Sequence, residues 1–223
     1  MPSKGRGATA AYVAPFAAFI AVMAAEHVLL PHSQILYPIR LAIVLAVILL
    51  VSRPYLRFHP KNPLASIAIG VAVFLIWIAP DRLFGYRHFW LFDNVIVGST
   101  PTSIPTGPQA SLWFLALRTL GSAAVVPIIE ELFWRGWLMR WLINPDFEKV
   151  PLGTYAPAAF WVVAILFASE HGPYWDVGLI AGVVYNWWMI RTRSVADCML
   201  AHAVTNGILA AYVMASGEWQ YWL

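Results

Sequence analysis

LASIAIGVAVFLIWIA, the stretch from Leu64 to Ala79, carries no charged side chain. The bilayer interior leaves a chain no way to satisfy its peptide groups except within itself, so a run of this kind reads as a membrane-crossing helix. Six further stretches share its character: Ala8 to Leu30, Ile35 to Val51, Ser111 to Val126, Tyr155 to Ser169, Val177 to Ile190 and Val195 to Ala215. The pattern predicts an all-α, polytopic transmembrane helix bundle of about seven spans, within a range of six to eight. The shorter segments reach full length only by drawing in flanking Trp, Tyr or Arg.

Composition agrees with that reading. Of the 223 residues, 61% are hydrophobic and 11% charged, whereas a soluble domain carries ~25% charged residues. Such a chain cannot cover itself with a polar surface, and spans of ~20 residues leave little room for anything else. One integral membrane domain over residues 1–223 is expected, embedded in the lipid bilayer. The formal charge of +3 comes from basic residues scattered through short loops, which read as topology signals. No basic-aromatic pattern points to nucleic acid. Cys198 is the only cysteine, so no internal disulfide forms, and its apolar surroundings suit packing.

Alternate connections divide the Lys and Arg residues unequally. One side holds Lys4, Arg6, Arg53, Arg57, Lys61, Arg135, Arg140, Lys149, Arg191 and Arg193, and the other Arg40, Arg82 and Arg87. This bias predicts a cytoplasmic N-terminus and an external C-terminus in the cell (inner) membrane. The first segment, with Lys4 and Arg6 before it, also fits a cleavable signal peptide, but in a multi-span protein the first helix usually stays. The longest connection, Asp81 to Ala110, contains a turn-rich run from Gly98 to Pro108 and separates three N-terminal helices from four C-terminal ones. Its Phe89-Trp90-Leu91-Phe92 run is expected at the membrane interface.

Ionisable side chains inside a membrane are costly and tend to face the bundle interior or a wet cavity. In the second half they gather in three places: Glu130, Glu131 and Arg135; Phe167 and His171; His202 and Asn206. Each place contains a four-residue spacing, which projects both side chains from nearly one face of a helix. Glu131 can therefore pair with Arg135, acid before base, while Glu130 lies about 100° round the helix and meets other neighbours. A carboxylate, two imidazoles and an amide suffice to activate water and to stabilise an oxyanion. Cys198 stands four residues before His202, but a thiol nucleophile would leave the glutamates and His171 unused, so water is the preferred nucleophile. Geometry alone does not choose between the two glutamates as base.

The segments Glu130-Glu131-Leu132-Phe133-Trp134-Arg135-Gly136, Phe167-Ala168-Ser169-Glu170-His171 and His202-Ala203-Val204-Thr205-Asn206 resemble, in order and separation, the three motifs of the CAAX protease and bacteriocin-processing enzyme family, the Abi or Rce1-like intramembrane proteases. The resemblance covers about Leu112 to Ala215, and a bacterial subgroup linked to exosortase systems is similar in size. It implies an intramembrane endopeptidase acting on a membrane-associated protein or peptide. It further implies that Glu130 and His171 activate water and that His202 and Asn206 stabilise the oxyanion. Glu131 and Arg135 would support the site, and Phe167 would pack behind it. No cofactor is implied. Residues 111–215 would form the catalytic helix core and 1–80 accessory helices.

Other readings compete. Two Glu and two His could ligate Zn²⁺, although no His-Glu-x-x-His pattern is present. A non-catalytic membrane scaffold or immunity protein would retain the bundle, and a small transporter would use the acids as proton sites, though two-half symmetry is missing. Outside the three motifs, Glu170 and Asp197 are candidates to orient the histidines or Arg135. Arg118 is a candidate partner of either acid, and Glu26 with His27 a candidate helix cap. One conflict stands out. If each span is a plain rod, Glu130 lies near the cytoplasmic end of its helix, His202 roughly 11 Å in at ~1.5 Å per residue, and His171 towards the far end. A single site then requires broken or tilted helices, with Pro127 and Gly172-Pro173 as the expected break points.

Overall fold

The computed structural model describes residues 4–29, 36–98 and 111–222. Every expected hydrophobic stretch is a helix: α1 (Lys4–Leu29), α2 (Leu36–Ser52), α3 (Pro63–Phe84), α4 (Leu112–Trp141), α5 (Pro157–Ser169), α6 (Trp175–Thr192) and α7 (Val195–Ser216). Among the described residues there is no strand, only an isolated bridge between Asn94 and Gly98. The chain is thus an all-α helical bundle. α1, α3, α4 and α7 are long and apolar enough to cross a membrane, and α2 and α5 are shorter apolar helices.

The helices alternate in direction, so two ends can be distinguished. At the end that holds the N-terminus, Ser52 Oγ donates to Ala11 O at 2.6 Å and ties α2 to α1. Asp197, in the first turn of α7, reaches across to α3, accepting from Lys61 N, Asn62 N and Ser66 Oγ at 3.2, 2.8 and 3.1 Å. These donors surround the start of α3, where helical N–H groups have no internal partner. Asp197 is therefore a tie between α7 and α3, not an orienter of the site residues. Glu26, expected as a helix cap, instead forms an ion pair with Arg40 of α2 at 3.3 Å. Arg118 lies with this pair, its guanidinium 5.0 Å from the Tyr37 ring centre, and not with the motif acids. The His27 side chain is outside the described set.

Close packing of α3 on α7 depends on Gly70. A Cβ there would lie 2.4 Å from Ala201 O and 2.7 Å from Val204 Cβ. At the far end, α3 stops at Gly85 in a left-handed conformation, φ 56°, and the connection beyond it folds back over the bundle. Phe92 is buried while Phe89, Trp90 and Leu91 remain exposed. Beyond Gly98, the turn-rich run falls outside the described residues.

One expectation needs correction. α4 does not end near Val126 but continues through Pro127 to Trp141 over 30 residues, roughly 45 Å at ~1.5 Å per residue. Two wider π-helical turns, Gly121–Val125 and Leu132–Leu138, interrupt its α-helical register. The first accommodates Pro127. Val126 N–H bonds to Gly121 O, five residues back, and Pro127 has no N–H to offer the next carbonyl, Ser122 O. Proline thus frees a carbonyl without breaking the rod. The second expected break point is real: α5 ends at Ser169, and a short 3₁₀ turn over Gly172–Tyr174 leads into α6.

These two features alter the positions that plain rods would give. α4 extends ten residues past Glu131, so the glutamates lie inside the rod instead of at its end. α5 has only 13 residues, about 20 Å of rise, shorter than a ~30 Å hydrocarbon layer.

Candidate active site

The centre of the site is a buried ion pair on one face of α4. Arg135 Nη1 donates to Glu131 Oε1 at 2.9 Å, and neither side chain has any exposure. His202 Nδ1 lies 2.9 Å from the same oxygen, so one carboxylate joins α4 to α7. The Arg135 guanidinium is held from three further sides. Nε donates to Asn186 Oδ1 at 2.9 Å, Nη2 points to Gly182 O at 3.4 Å, and the Phe167 ring centre is 4.6 Å away. Asn186 is fixed in turn by donating through Nδ2 to Phe160 O at 2.8 Å. A buried charge is tolerated when it is paired and hydrogen-bonded, and this network gives each guanidinium nitrogen of Arg135 an acceptor.

Phe167 lies between the two histidines and Arg135. Its ring centre lies 4.7 Å from that of His171 and 6.0 Å from that of His202. The two imidazoles thus stand on one aromatic ring. His202 is also stacked on Tyr185 at 5.2 Å, and the Tyr185 hydroxyl bonds Thr205 Oγ1 at 2.7 Å. Thr205 Oγ1 in turn contacts Gly70 O at 2.9 Å, linking the histidine helix to α3.

Hydrogen bonding selects the ring nitrogens. His171 Nδ1 lies 2.7 Å from Phe167 O, and a carbonyl only accepts, so Nδ1 carries the hydrogen and the Nε2 lone pair is left for other work. His202 likewise uses Nδ1 towards a carboxylate and keeps Nε2. Asn206, one turn beyond His202, donates through Nδ2 to Ser122 O at 2.8 Å, the carbonyl freed by Pro127.

The two glutamates are unequal. Glu131 is wholly buried, with Oε1 shared between Arg135 and His202. Glu130 is half-buried and forms no ion pair among the described residues. Its Oε2 is shielded and has no hydrogen-bond partner there, and the charged groups within reach are Glu170, Glu131 and Arg135. Glu131 Oε2 is also without a partner, so the distinction lies in the ion pairs. Cys198 is buried, its Sγ 3.7 Å from Tyr185 O, in a packing position. Among the described residues no group of three or more His, Cys, Asp or Glu side chains is disposed to hold a metal ion.

An apolar groove of about 590 Å³ runs beside the first half of α4, lined by Leu112, Leu115, Thr119, Ala123 and Met214 among others. Tyr185 and Asn186 carry no telling spacing in the sequence, since neither stands four residues from another polar residue, whereas Thr205 lies inside the third motif. The one available signal was an uncharged amide inside the otherwise apolar α6.

An all-α bundle of apolar helices around a buried cluster of acid, base and imidazole defines a membrane protein with a polar interior site. Residues 111–208 match the family model described as type II CAAX prenyl endopeptidase Rce1-like, so the part of the chain holding all three motifs is similar to that family. No curated protein and no solved structure matches the chain. The match supports, in general terms, an intramembrane endopeptidase, a hydrolase of peptide bonds.

Proposed function

We propose that the protein cleaves a membrane-associated protein or peptide by direct attack of water, CAAX-protease-like, with Glu130, His171, His202 and Asn206 as catalytic residues. The observation that carries this reading is the division of labour between the glutamates. Glu131 is committed to Arg135 and His202, while Glu130 makes no ion pair among the described residues.

In this mechanism the Glu130 carboxylate takes a proton from water, with the His171 Nε2 lone pair orienting the other hydrogen. The resulting hydroxide adds to the scissile carbonyl carbon. Charge develops on the carbonyl oxygen, where His202 Nε2–H, in the doubly protonated ring, and the second N–H of Asn206 would donate. Collapse expels the amine, which receives the proton held by Glu130. Glu131 supports the His202 cation, and Arg135 keeps Glu131 ionised and in place. The apolar groove beside α4 suits an apolar segment next to the scissile bond. Residues 111–215 act as the catalytic core and 1–80 as accessory helices, with the N-terminal end of the bundle cytoplasmic.

The test compares termini of membrane peptides from cells carrying the native protein and the Glu130→Ala variant. Termini that vanish with the variant identify the substrate. Identical termini in both, at equal protein level, would sink the protease reading. A chelator arm on the purified protein separates the water mechanism, which should be indifferent, from a metal-dependent one.

A further inference from the structure

Arg87 lies outside all three motifs, in the turn after α3, yet it is buried, with 6% exposure. Its guanidinium reaches the turn that follows His171. Nη1 donates to Pro173 O at 2.6 Å and to Asp176 Oδ1 at 3.1 Å, and Nε is 3.9 Å from Asp81 Oδ2. The guanidinium carbon stands 4.0 Å from the Tyr174 ring centre. The carboxylates are held in turn, since the Tyr86 hydroxyl donates to Asp176 and the Tyr221 hydroxyl to Asp81. One cation therefore ties together the end of α3, the start of α6 and the peptide two residues after His171.

α5 has already ended at Ser169, and beyond it the backbone makes short-range bonds such as Tyr174 N to His171 O at 2.9 Å. The Tyr174 side chain adds an anchor, its hydroxyl donating to Gln220 O at 2.9 Å, and Arg87 supplies the side-chain bond to the Pro173 carbonyl. Gly172 has φ +48°, and a Cβ there would lie 2.9 Å from Val97 O, so the strand of loop after α3 presses directly on the turn. The His171 ring is walled by Phe167 at 4.7 Å and Trp77 at 5.2 Å, and Trp77 stacks on Tyr174 at 6.0 Å. Whatever moves Pro173 and Tyr174 moves the walls and backbone of His171. The rigid fork bonds a carbonyl and the Asp176 carboxylate through Nη1 while its charge faces Asp81, which a lysine ammonium on a flexible stem does not reproduce.

We propose that Arg87, with Asp176, is a positioning residue for His171: it clamps the Gly172–Tyr174 turn and so sets where His171 Nε2 points. The proposal rests on the reading of His171 as part of the water-activating pair. Arg87 itself touches no reacting atom. Its contribution is passed through the backbone of the turn.

The test uses the full-length protein in lipid with a membrane peptide reporter, comparing Arg87→Gln, Arg87→Lys, His171→Ala and the Arg87→Gln/His171→Ala double variant. Arg87→Gln should lower kcat about tenfold or more, as small misplacements of a reacting group do, with KM little changed. Arg87→Lys should restore only part of the loss. In the His171→Ala background Arg87→Gln should cost nothing further, since the residue it positions is gone. An equal cost in both backgrounds would overturn the clamp. Asp176→Asn serves where Arg87→Gln fails to accumulate, and should show a smaller loss with the same non-additivity. A second readout does not depend on activity: the rate of diethyl pyrocarbonate modification at His171 Nε2 should change severalfold in Arg87→Gln while His202 is unaffected. An unchanged rate overturns the clamp alone. A changed rate together with full activity of His171→Ala overturns the catalytic reading of His171 and leaves the clamp standing.

Discussion

The side-chain amide of Asn206 supplies Ser122 with a hydrogen bond that α4 itself cannot make. The π-helical turn gives Val126 N–H to Gly121 O, Pro127 has no N–H, and Asn206 Nδ2 fills the gap at 2.8 Å. Asn206 therefore has a structural task beside its proposed catalytic one, and the two separate by experiment. Asn206→Ala should cost about 1 to 2 kcal/mol for leaving a carbonyl unpaired, read as a fall in thermal stability. In a Pro127→Ala background the backbone regains a donor, and that stability cost should shrink by half or more. The loss of turnover from removing an oxyanion donor, on the order of a hundredfold, should persist in both backgrounds. A turnover loss that disappears with Pro127→Ala would reduce Asn206 to a structural residue.

Gly70 sets the distance between α3 and α7, and with it the Thr205–Tyr185–His202 chain. Its Cβ position is 2.4 Å from a backbone oxygen of α7, which no rotamer change can relieve. Gly70→Ala should therefore separate the two helices and cost about 1 to 3 kcal/mol, the range of overpacked interiors. A melting curve in detergent decides it, and wild-type stability for Gly70→Ala would show that the contact is looser than the structure places it.

Orientation gives a third expectation, from the excess of Lys and Arg at the end of the bundle that holds the N-terminus. Reporter fusions at Arg57 and at Leu223 should label opposite sides of the membrane, with Arg57 cytoplasmic. Both reporters on one side would contradict an odd number of crossings.

How far the sequence foretold this molecule depended on the kind of signal. Uninterrupted apolar runs such as Leu64 to Ala79 showed their helices directly, because hydrocarbon solvent enforces backbone pairing inside each segment. α4 was truncated in the reading because Pro127, Glu130, Glu131 and Arg135 lower its hydropathy. A hydropathy profile counts charges singly, whereas Glu131 and Arg135 neutralise each other on adjacent turns. The four-residue spacings of Glu131–Arg135 and His202–Asn206 placed partners on shared faces, but spacing within one helix is silent about the next. Thus the His202 bond to Glu131 and the Asn186 bond to Arg135 came only with the fold. Asp197 misled for the same reason: its sequence neighbour is His202, its spatial neighbours are Lys61, Asn62 and Ser66.

The remaining prediction concerns the adjacent glutamates. Glu130→Gln keeps size and hydrogen-bonding capacity but removes the base, so turnover should fall by at least a hundredfold, in the range of lost general-base catalysis, while the protein stays folded and binds substrate. Glu131→Gln removes the shared counter-charge of Arg135 and His202 and leaves a buried guanidinium without its ion-pair partner. By analogy with broken buried ion pairs this should cost about 3 to 5 kcal/mol of stability, and its main symptom should be a less stable protein at any substrate concentration. Replacing both partners, Glu131→Gln with Arg135→Met, removes the stranded charge and should recover part of that stability without restoring turnover, because His202 still lacks its carboxylate. Thermal stability and single-turnover rates measured together on the three variants decide the matter: a Glu131→Gln protein that is stable but inactive, beside a Glu130→Gln protein that is unstable but active, would reverse the two roles.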